Sequence, residues 1–581
     1  MRKIATLFAI GASMTVAAHA QNETAQQFQR VSDEFFDQVY FPYQPTGGTV
    51  SGYHQYDSKL EDFSRATIDA EVAALNDFEK RISAIPPAGL DQTTRGDRQM
   101  VLNEIRSNLL RLQTIRPWAK SADYYSSACA GSAFTLMERK FAPADDRLRS
   151  LIAREKHMPR LIAEAHTNLE NPPRIFTEIA IEQLPDIISF FQHDVPAAFA
   201  DAQDPALKSE FAQSNAAVIN SLSEYLAWLK TDLLPRSGGD FRIGADTFAK
   251  KLKYEEMVDL PLPKVLEIGY SDLHRNQQHF AEVAHELDPN KTPREVLEDL
   301  GSRHPAPDQL LDAFRATFTS LLDFIRTHHI VTIPSDVRPV LEETPPFMRA
   351  TTTASMDSPG PYESHATTSS FNVTLPDPAM TPAQVEGYMH SFNIGTVVST
   401  SVHEAYPGHY TQYLYSLRFS SRVRKILAAN TNVEGWAHYT EQMMLDNGYG
   451  QPGSGAKDER EAKYLRLGQL QDALLRNARF IVGIQMHTGN MTYDQAVEFF
   501  QEEGYQPKEI ASVEAKRGAG DPTYLYYTLG KLEIMKLRAD LQKKQGVAFS
   551  LEKFHDEFLS QGFPPIKIVR EALLGDDSPT L

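Results

Sequence analysis

Cysteine is almost absent from this chain. Cys129 is the only one in 581 residues, so no intramolecular disulfide can form, and a zinc site would have to be built from histidine and carboxylate. Cys129 sits among small residues, Ser126-Ser127-Ala128-Cys129-Ala130-Gly131, which reads as packing and not as a nucleophile. Positive charge is in deficit. Lys and Arg number 58 against 76 Asp and Glu, a net charge of −18, or −20 once Arg2 and Lys3 are set aside. A chain this acidic is a poor candidate for binding nucleic acid or an anionic membrane. After the first twenty residues no apolar run is long enough to span a bilayer, so no integral membrane segment is expected in the mature chain. No repeat of fixed period is visible, which argues against a solenoid.

The first residues form a leader. Met1-Arg2-Lys3 is basic, Ile4 to Ala18 is apolar or small, and Ala18-His19-Ala20 is a small-x-small cleavage site. Residues 1–20 therefore read as a secretory signal peptide, and the expected destination is a bacterial periplasm. No Cys follows the cleavage site, so lipid attachment is not expected. Residues 21–330 read as mostly helix, a helical N-terminal lobe forming a cleft wall, with amphipathic stretches such as 60–85, 95–112, 206–234 and 262–287 punctuated by Pro and Gly. Residues 331–382 change character. Nine prolines disfavour helix, while Val331-Thr332-Ile333 and Ser370-Phe371-Asn372-Val373-Thr374-Leu375 alternate like short strands. The second strand, with Asn372, is a candidate edge for pairing with substrate backbone, and the loop from Met356 to Thr368 could cover a cleft. The expected fold is mainly α: a large two-lobed helical bundle around a deep cleft, with a small β element before a metal-binding helix and a metal-site lobe over 331–581.

That helix carries His403-Glu404-Ala405-Tyr406-Pro407-Gly408-His409. Two imidazoles flank a carboxylate, as in H-E-x-x-H, where a pair of His binds zinc and Glu activates water. The spacing is i, i+6, about 240° around a straight helix, so the rings would diverge. Pro407 cannot donate to the preceding turn and Gly408 tolerates unusual backbone angles, so a bulge there could return His409 to the side of His403. A second run, Glu434-Gly435-Trp436-Ala437-His438-Tyr439-Thr440-Glu441, places Glu434, His438 and Glu441 on one helix face at i, i+4, i+7. Catalytic zinc takes three protein ligands, and that face supplies candidates for the third, with Trp436 and Ala437 turned toward packing. Arg476, Arg479, Gly483 and His487 form one stripe of a later amphipathic helix. Tyr524, Tyr527 and Lys531 share a face after Asp521-Pro522.

These blocks resemble the bacterial domain-of-unknown-function 885 family. The carrying motifs are His-Glu-x-x-Pro-Gly-His-x-x-Gln from His403, Glu-Gly-Trp-Ala-x-Tyr-x-Glu from Glu434, Leu475 to Arg479, Asp521 to Leu532, and Phe554 to Gly562. The resemblance spans nearly all of the chain after residue 25, and implies a gluzincin-like zinc metallopeptidase. Two departures stand out: Gly483 replaces a frequent Asp, and His438 occupies a usually apolar position, which argues against it as a shared ligand.

The resemblance implies one zinc ion per chain held by His403, His409 and Glu434, with Glu404 as general base and Tyr527 as a donor to the developing oxyanion, as in peptidases of the thimet oligopeptidase type. Arg476, Arg479, His487, Tyr524 and Asn372 are the candidate substrate-binding residues, and Gly483 would leave room for a peptide chain. The expected substrate is a short peptide. Two alternatives stay open: a zinc hydrolase of another amide or ester, and a non-catalytic exported binding protein with a residual metal site.

Overall fold

A computed structural model describes residues 23–345, 349 and 353–581. The leader expected over 1–20 lies outside the described residues. The chain is mainly helical, as expected, with a small three-stranded sheet ahead of the helix that carries His403. No helix among the described residues is long and apolar enough to cross a membrane.

Local chemistry sets the helix ends. Asn393 accepts from the amides of Gly395 and Thr396 and starts Ile394–Glu404. Asp458 caps Glu459–Thr488, which stops at Gly489 with φ 85°. Thr381 and Gln384 form a reciprocal capping box around Pro382–Met389. The helix Asn430–Asp446 has no cap of its own. Its first turn is seated on buried Glu256, which accepts from the Thr431 amide and hydroxyl at 2.9 and 2.6 Å.

Four helices pack side by side around the candidate site: Ile394–Glu404, Asn430–Asp446, Glu459–Thr488 and Tyr526–Gln545. Two of their crossings are backbone on backbone. A Cβ on Gly435 would lie 2.5 Å from Gly530 Cα, and one on Gly468 would lie 2.5 Å from Gly395. Glycine at these points brings the helices that carry His403 and Glu434 within reach of their neighbours. A buried Lys531–Asp272 pair at 2.9 Å, with Asn477 also donating to Asp272, ties three helices together.

Cores are shared across residue 330. Val265, Leu273 and Phe280 of Leu262–Leu287 share a core with Leu467, Leu474 and Ile481, and Leu310–Thr327 packs into the core around Trp436 and Tyr406. Val331-Thr332-Ile333 is not a strand: Val331 is buried in that core, and the Thr332 amide and hydroxyl bond Asp556 instead of a neighbouring strand. Ser370–Val373 is the centre of its sheet, flanked by Val340–Glu343 in parallel and Ala354–Asp357 antiparallel, so it has no open edge for a substrate. The loop after Met356 does not cover the cleft. It turns back to the N-terminal segment, where the Tyr362 amide donates to the Ser51 carbonyl and Glu363 lies 3.2 Å from His54.

Candidate metal centre

Ile394–Glu404 ends at Glu404, and a new helix, His409–Ser416, begins at His409. The expected bulge is therefore a full break. The peptide between Tyr406 and Pro407 is cis. Gly408 is folded so tightly onto the preceding turn that a Cβ there would sit 1.8 Å from the His403 carbonyl oxygen. Trp436 fixes the break from outside, donating its indole N–H to the Pro407 carbonyl at 2.9 Å while stacking on Phe558. The break brings the two imidazoles together, with ring centroids 4.8 Å apart.

Their outer nitrogens converge on one oxygen. His403 Nε2 lies 3.4 Å and His409 Nε2 3.5 Å from Glu434 Oε2. Tetrahedral zinc with bonds of ~2.0–2.1 Å sets its ligand atoms ~3.3–3.4 Å apart, so the three atoms are spaced as the edges of such a shell. Glu434 Oε2 is buried with no hydrogen-bond partner, a costly arrangement for a carboxylate unless a cation is bound there.

The inner nitrogens are held by acceptors, which leaves the Nε2 lone pairs for a cation. His403 Nδ1–H donates to Glu441 Oε1 at 2.6 Å. His409 Nδ1–H donates to Gln412 Oε1 at 3.3 Å, and Gln412 is oriented by donating to the Asn432 carbonyl. Glu441 also accepts from His438 Nδ1 at 3.0 Å and from Arg476 at 3.1 Å. His438 thus lies behind His403, on the far side of Glu441.

Electrostatics follow from this layering. Burial raises the Glu441 carboxyl, but Arg476 and His438 outweigh it and hold the group well below the ordinary range. Burial opposes a charged His403, yet the neighbouring carboxylates of Glu434 and Glu441 prevail and its pKa is pushed up to about 10. A proton therefore competes with a cation for His403, and cation uptake should release protons. His438, buried beside Lys531 and Arg476, is lowered to about 4.

A cavity of ≈1170 Å³ opens over His403 and Glu404. Glu404 is anchored by the Met356 amide of the edge strand, which donates to Oε2 at 3.0 Å. Tyr527 also lines the cavity, its ring under the guanidinium groups of Arg476 and Arg479 at 5.5 and 5.3 Å.

The other substrate-binding candidates are corrected. Arg476 reaches the cavity wall, but its guanidinium holds Glu441 behind His403. Arg479 also faces the cavity, but its Nε and Nη2 both bond Glu514 at 2.7 Å, so its charge is already paired with a carboxylate of the protein. His487 lies eleven residues beyond Arg476, ~16 Å along the helix axis. It lines a separate cavity with Phe241 and donates to the Gly518 carbonyl at 2.8 Å. Tyr524 precedes the helix, which starts only at Tyr526, and is fully buried with its hydroxyl 3.4 Å from the Glu514 carbonyl. Gly483 makes room for the Tyr524 ring, not for a peptide. Asn372 is buried in the central strand and does not line the cavity.

Sequence reasoning missed Arg517, near the end of the helix Lys508–Gly520. Arg517 lines the cavity over the metal centre and also the neighbouring ≈730 Å³ cavity that holds His487. Among the described residues it has no carboxylate in ion-pair contact, and its guanidinium lies 3.4 Å from the Tyr526 hydroxyl.

A family model described as "Bacterial protein of unknown function (DUF885)" matches residues 45–573. A solved structure described as "a putative lipoprotein of unknown function from Shewanella oneidensis" is 27% identical, with a TM-score of 0.80 over 94% of this chain and 99% of that one. Another, "the putative lipoprotein from Colwellia psychrerythraea", is 18% identical with a TM-score of 0.80, covering 96% and 99% of the two chains, and shares the fold. A comparison with curated proteins found no match.

Proposed function

This chain belongs to the bacterial DUF885 family of unknown function, and from that premise and the geometry of the site we propose that it is an exported zinc-dependent hydrolase of short peptides. The observation that carries this reading is the convergence of His403 Nε2, His409 Nε2 and the unpartnered Glu434 Oε2, next to a carboxylate that opens on a large cavity. Export is supported by the leader and by the description of the related structures as putative lipoproteins.

A zinc ion held by these three residues would supply Lewis acidity, making water a nucleophile near neutral pH. Glu404 takes the proton from the attacking water and delivers it to the leaving amine. The Met356 amide holds one Glu404 oxygen and so aims the other at the cavity. Tyr527 donates its phenolic hydrogen to the oxygen on which negative charge develops. Glu441 and Gln412 keep both imidazoles in the ligating tautomer. Arg517, without a carboxylate of its own, receives the C-terminal carboxylate of the peptide. The catalytic carboxylate beside the ligands favours an enzyme over a binding protein, since a structural site does not need it.

The test is digestion of a defined library of peptides, simple amides and esters by zinc-loaded and chelator-stripped protein, read by mass spectrometry. Zinc-dependent cleavage of free peptides is expected. Cleavage of esters or simple amides alone would replace the peptide reading, and no turnover in any class would leave a binding protein.

A further inference from the structure

The arrangement at Glu434 recurs elsewhere in the chain. His304 Nε2 lies 3.2 Å and His390 Nε2 3.6 Å from one oxygen of Glu386, Oε1. These spacings bracket the ~3.3–3.4 Å edge of a tetrahedral zinc shell and lie close to the 3.4 and 3.5 Å separations at the first site. The donor set is again two imidazoles and one carboxylate, and all three ligand atoms lie within 4.8 Å of one another.

Three local features prepare it. Glu386 and His390 are four residues apart on the helical stretch Pro382–Met389 and its continuation His390–Phe392, so their side chains project together. His304 comes from the loop after the helix Pro293–Gly301. Its Nδ1 lies 2.9 Å from the Pro305 carbonyl. A carbonyl only accepts, so Nδ1 carries the hydrogen, and the neutral ring then presents the Nε2 lone pair to Glu386. A lone pair facing a carboxylate oxygen at that distance is repulsive unless a cation or a proton stands between them. Gly301 completes the cradle, since a Cβ there would come within 3.1 Å of His390 Nδ1.

We propose that His304, Glu386 and His390 form a second binding site for a first-row divalent cation, with zinc, copper or nickel as the fitting class for imidazole donors. The side chains of Glu386 and His390 are 60% and 45% exposed, so this cation exchanges more readily than one at the buried site. Its role is to clasp. The 382–392 stretch supplies Tyr388, Ser391 and Phe392 to the cavity wall. The loop that carries His304 is already tied to the catalytic helix through the Ile394 amide and the Arg303 carbonyl, 2.8 Å apart. A cation across these two segments would brace the cavity wall against the start of the helix that ends in His403 and Glu404.

The experiment counts zinc by mass spectrometry on tag-free protein, stripped with chelator, re-equilibrated in micromolar free zinc and gel-filtered in the same buffer. Two equivalents are expected for the wild type. One is expected for His304→Ala, for His390→Ala, and for Glu386→Gln, whose exposed position makes misfolding an unsuitable explanation. His403→Ala should lose the other equivalent alone, so failure of the first site and failure of the second give different counts. A single equivalent in the wild type that survives in Glu386→Gln overturns the proposal, as do two equivalents retained in both Glu386→Gln and His304→Ala.

Discussion

At the scale of single residues, Glu404 and Arg517 do different work in the same cavity. Glu404 is anchored by the Met356 amide, which donates to one of its oxygens. Replacing it with Gln keeps the shape and the metal ligands but removes the site of proton transfer. Glu404→Gln should retain its zinc and lose turnover by roughly 10²–10⁴-fold, measured as kcat beside metal content. Turnover within a few-fold of wild type would take Glu404 out of the mechanism. Arg517→Met keeps the apolar stem and removes the charge. KM should rise roughly tenfold or more for peptides with a free C-terminus and change little for their C-terminal amides, because only the former lose an ion pair. An equal effect on both would return Arg517 to a structural part.

The same scale shows what the sequence could carry. The convergence of His403, His409 and Glu434 was legible because their residue types and spacing match a metal-binding pattern. Arg476, Arg479 and His487 were assigned from helix phase and a family block, and neither gives the partners of a side chain. Glu441 and Glu514, which occupy the two arginines, come from other helices. Arg517 was missed because Lys508–Gly520 ends in Arg-Gly-Ala-Gly, a composition that disfavours helix in isolation.

At the scale of elements, the break between Ile394–Glu404 and His409–Ser416 builds the site. The sequence pointed to Pro407-Gly408 as a disturbance. It did not show that the helix stops, because the break is set by packing from Trp436 and by the contact of Gly408 with the previous turn. Gly408→Ala places a methyl carbon against the His403 carbonyl. It should weaken zinc binding by at least ~10-fold, comparable with the loss of a residue that orients a ligand, although no ligand is changed. Zinc affinity by competition with a chromophoric chelator checks this, and wild-type affinity would mean that the turn can open without moving His409. The small sheet carries a related lesson. Alternation identified Ser370–Val373 as a strand but could not say which of its edges are covered, and the edge that meets Glu404 belongs to Ala354–Asp357, whose Met356 and Asp357 were read as the start of a loop.

At the scale of the whole molecule, fold class was legible from helical periodicity, while the packing partners of the helices were not. Helices distant in the chain share one core, and the apolar stripe of Leu262–Leu287 does not announce that its partner is Glu459–Thr488. The assembled core also buries histidines in neutral form. His555 donates to the Ile330 carbonyl at 2.6 Å, lies 2.8 Å from the Tyr439 hydroxyl, and burial lowers its pKa to about 3. Its folded pKa lies below the unfolded value near 6.5, so between these limits the unfolded chain binds a proton that the folded chain refuses. Stability therefore falls as pH drops from about 6.5 toward 3, by about 1.4 kcal/mol per pH unit for each such group. His555→Asn should flatten the pH dependence of chemical denaturation by about one proton in this range, whatever its effect on absolute stability. An unchanged slope would mean that His555 is protonated in the folded state.

We propose that two imidazoles from either side of a helix break and a carboxylate from Asn430–Asp446 meet on one cation. Anomalous diffraction at the zinc absorption edge, from crystals of the zinc-loaded protein, tests it most directly. The predicted result is a peak ~2.0–2.2 Å from His403 Nε2, His409 Nε2 and Glu434 Oε2. A zinc-loaded crystal with no peak between these atoms, or with the peak on His438 and Glu441, contradicts it.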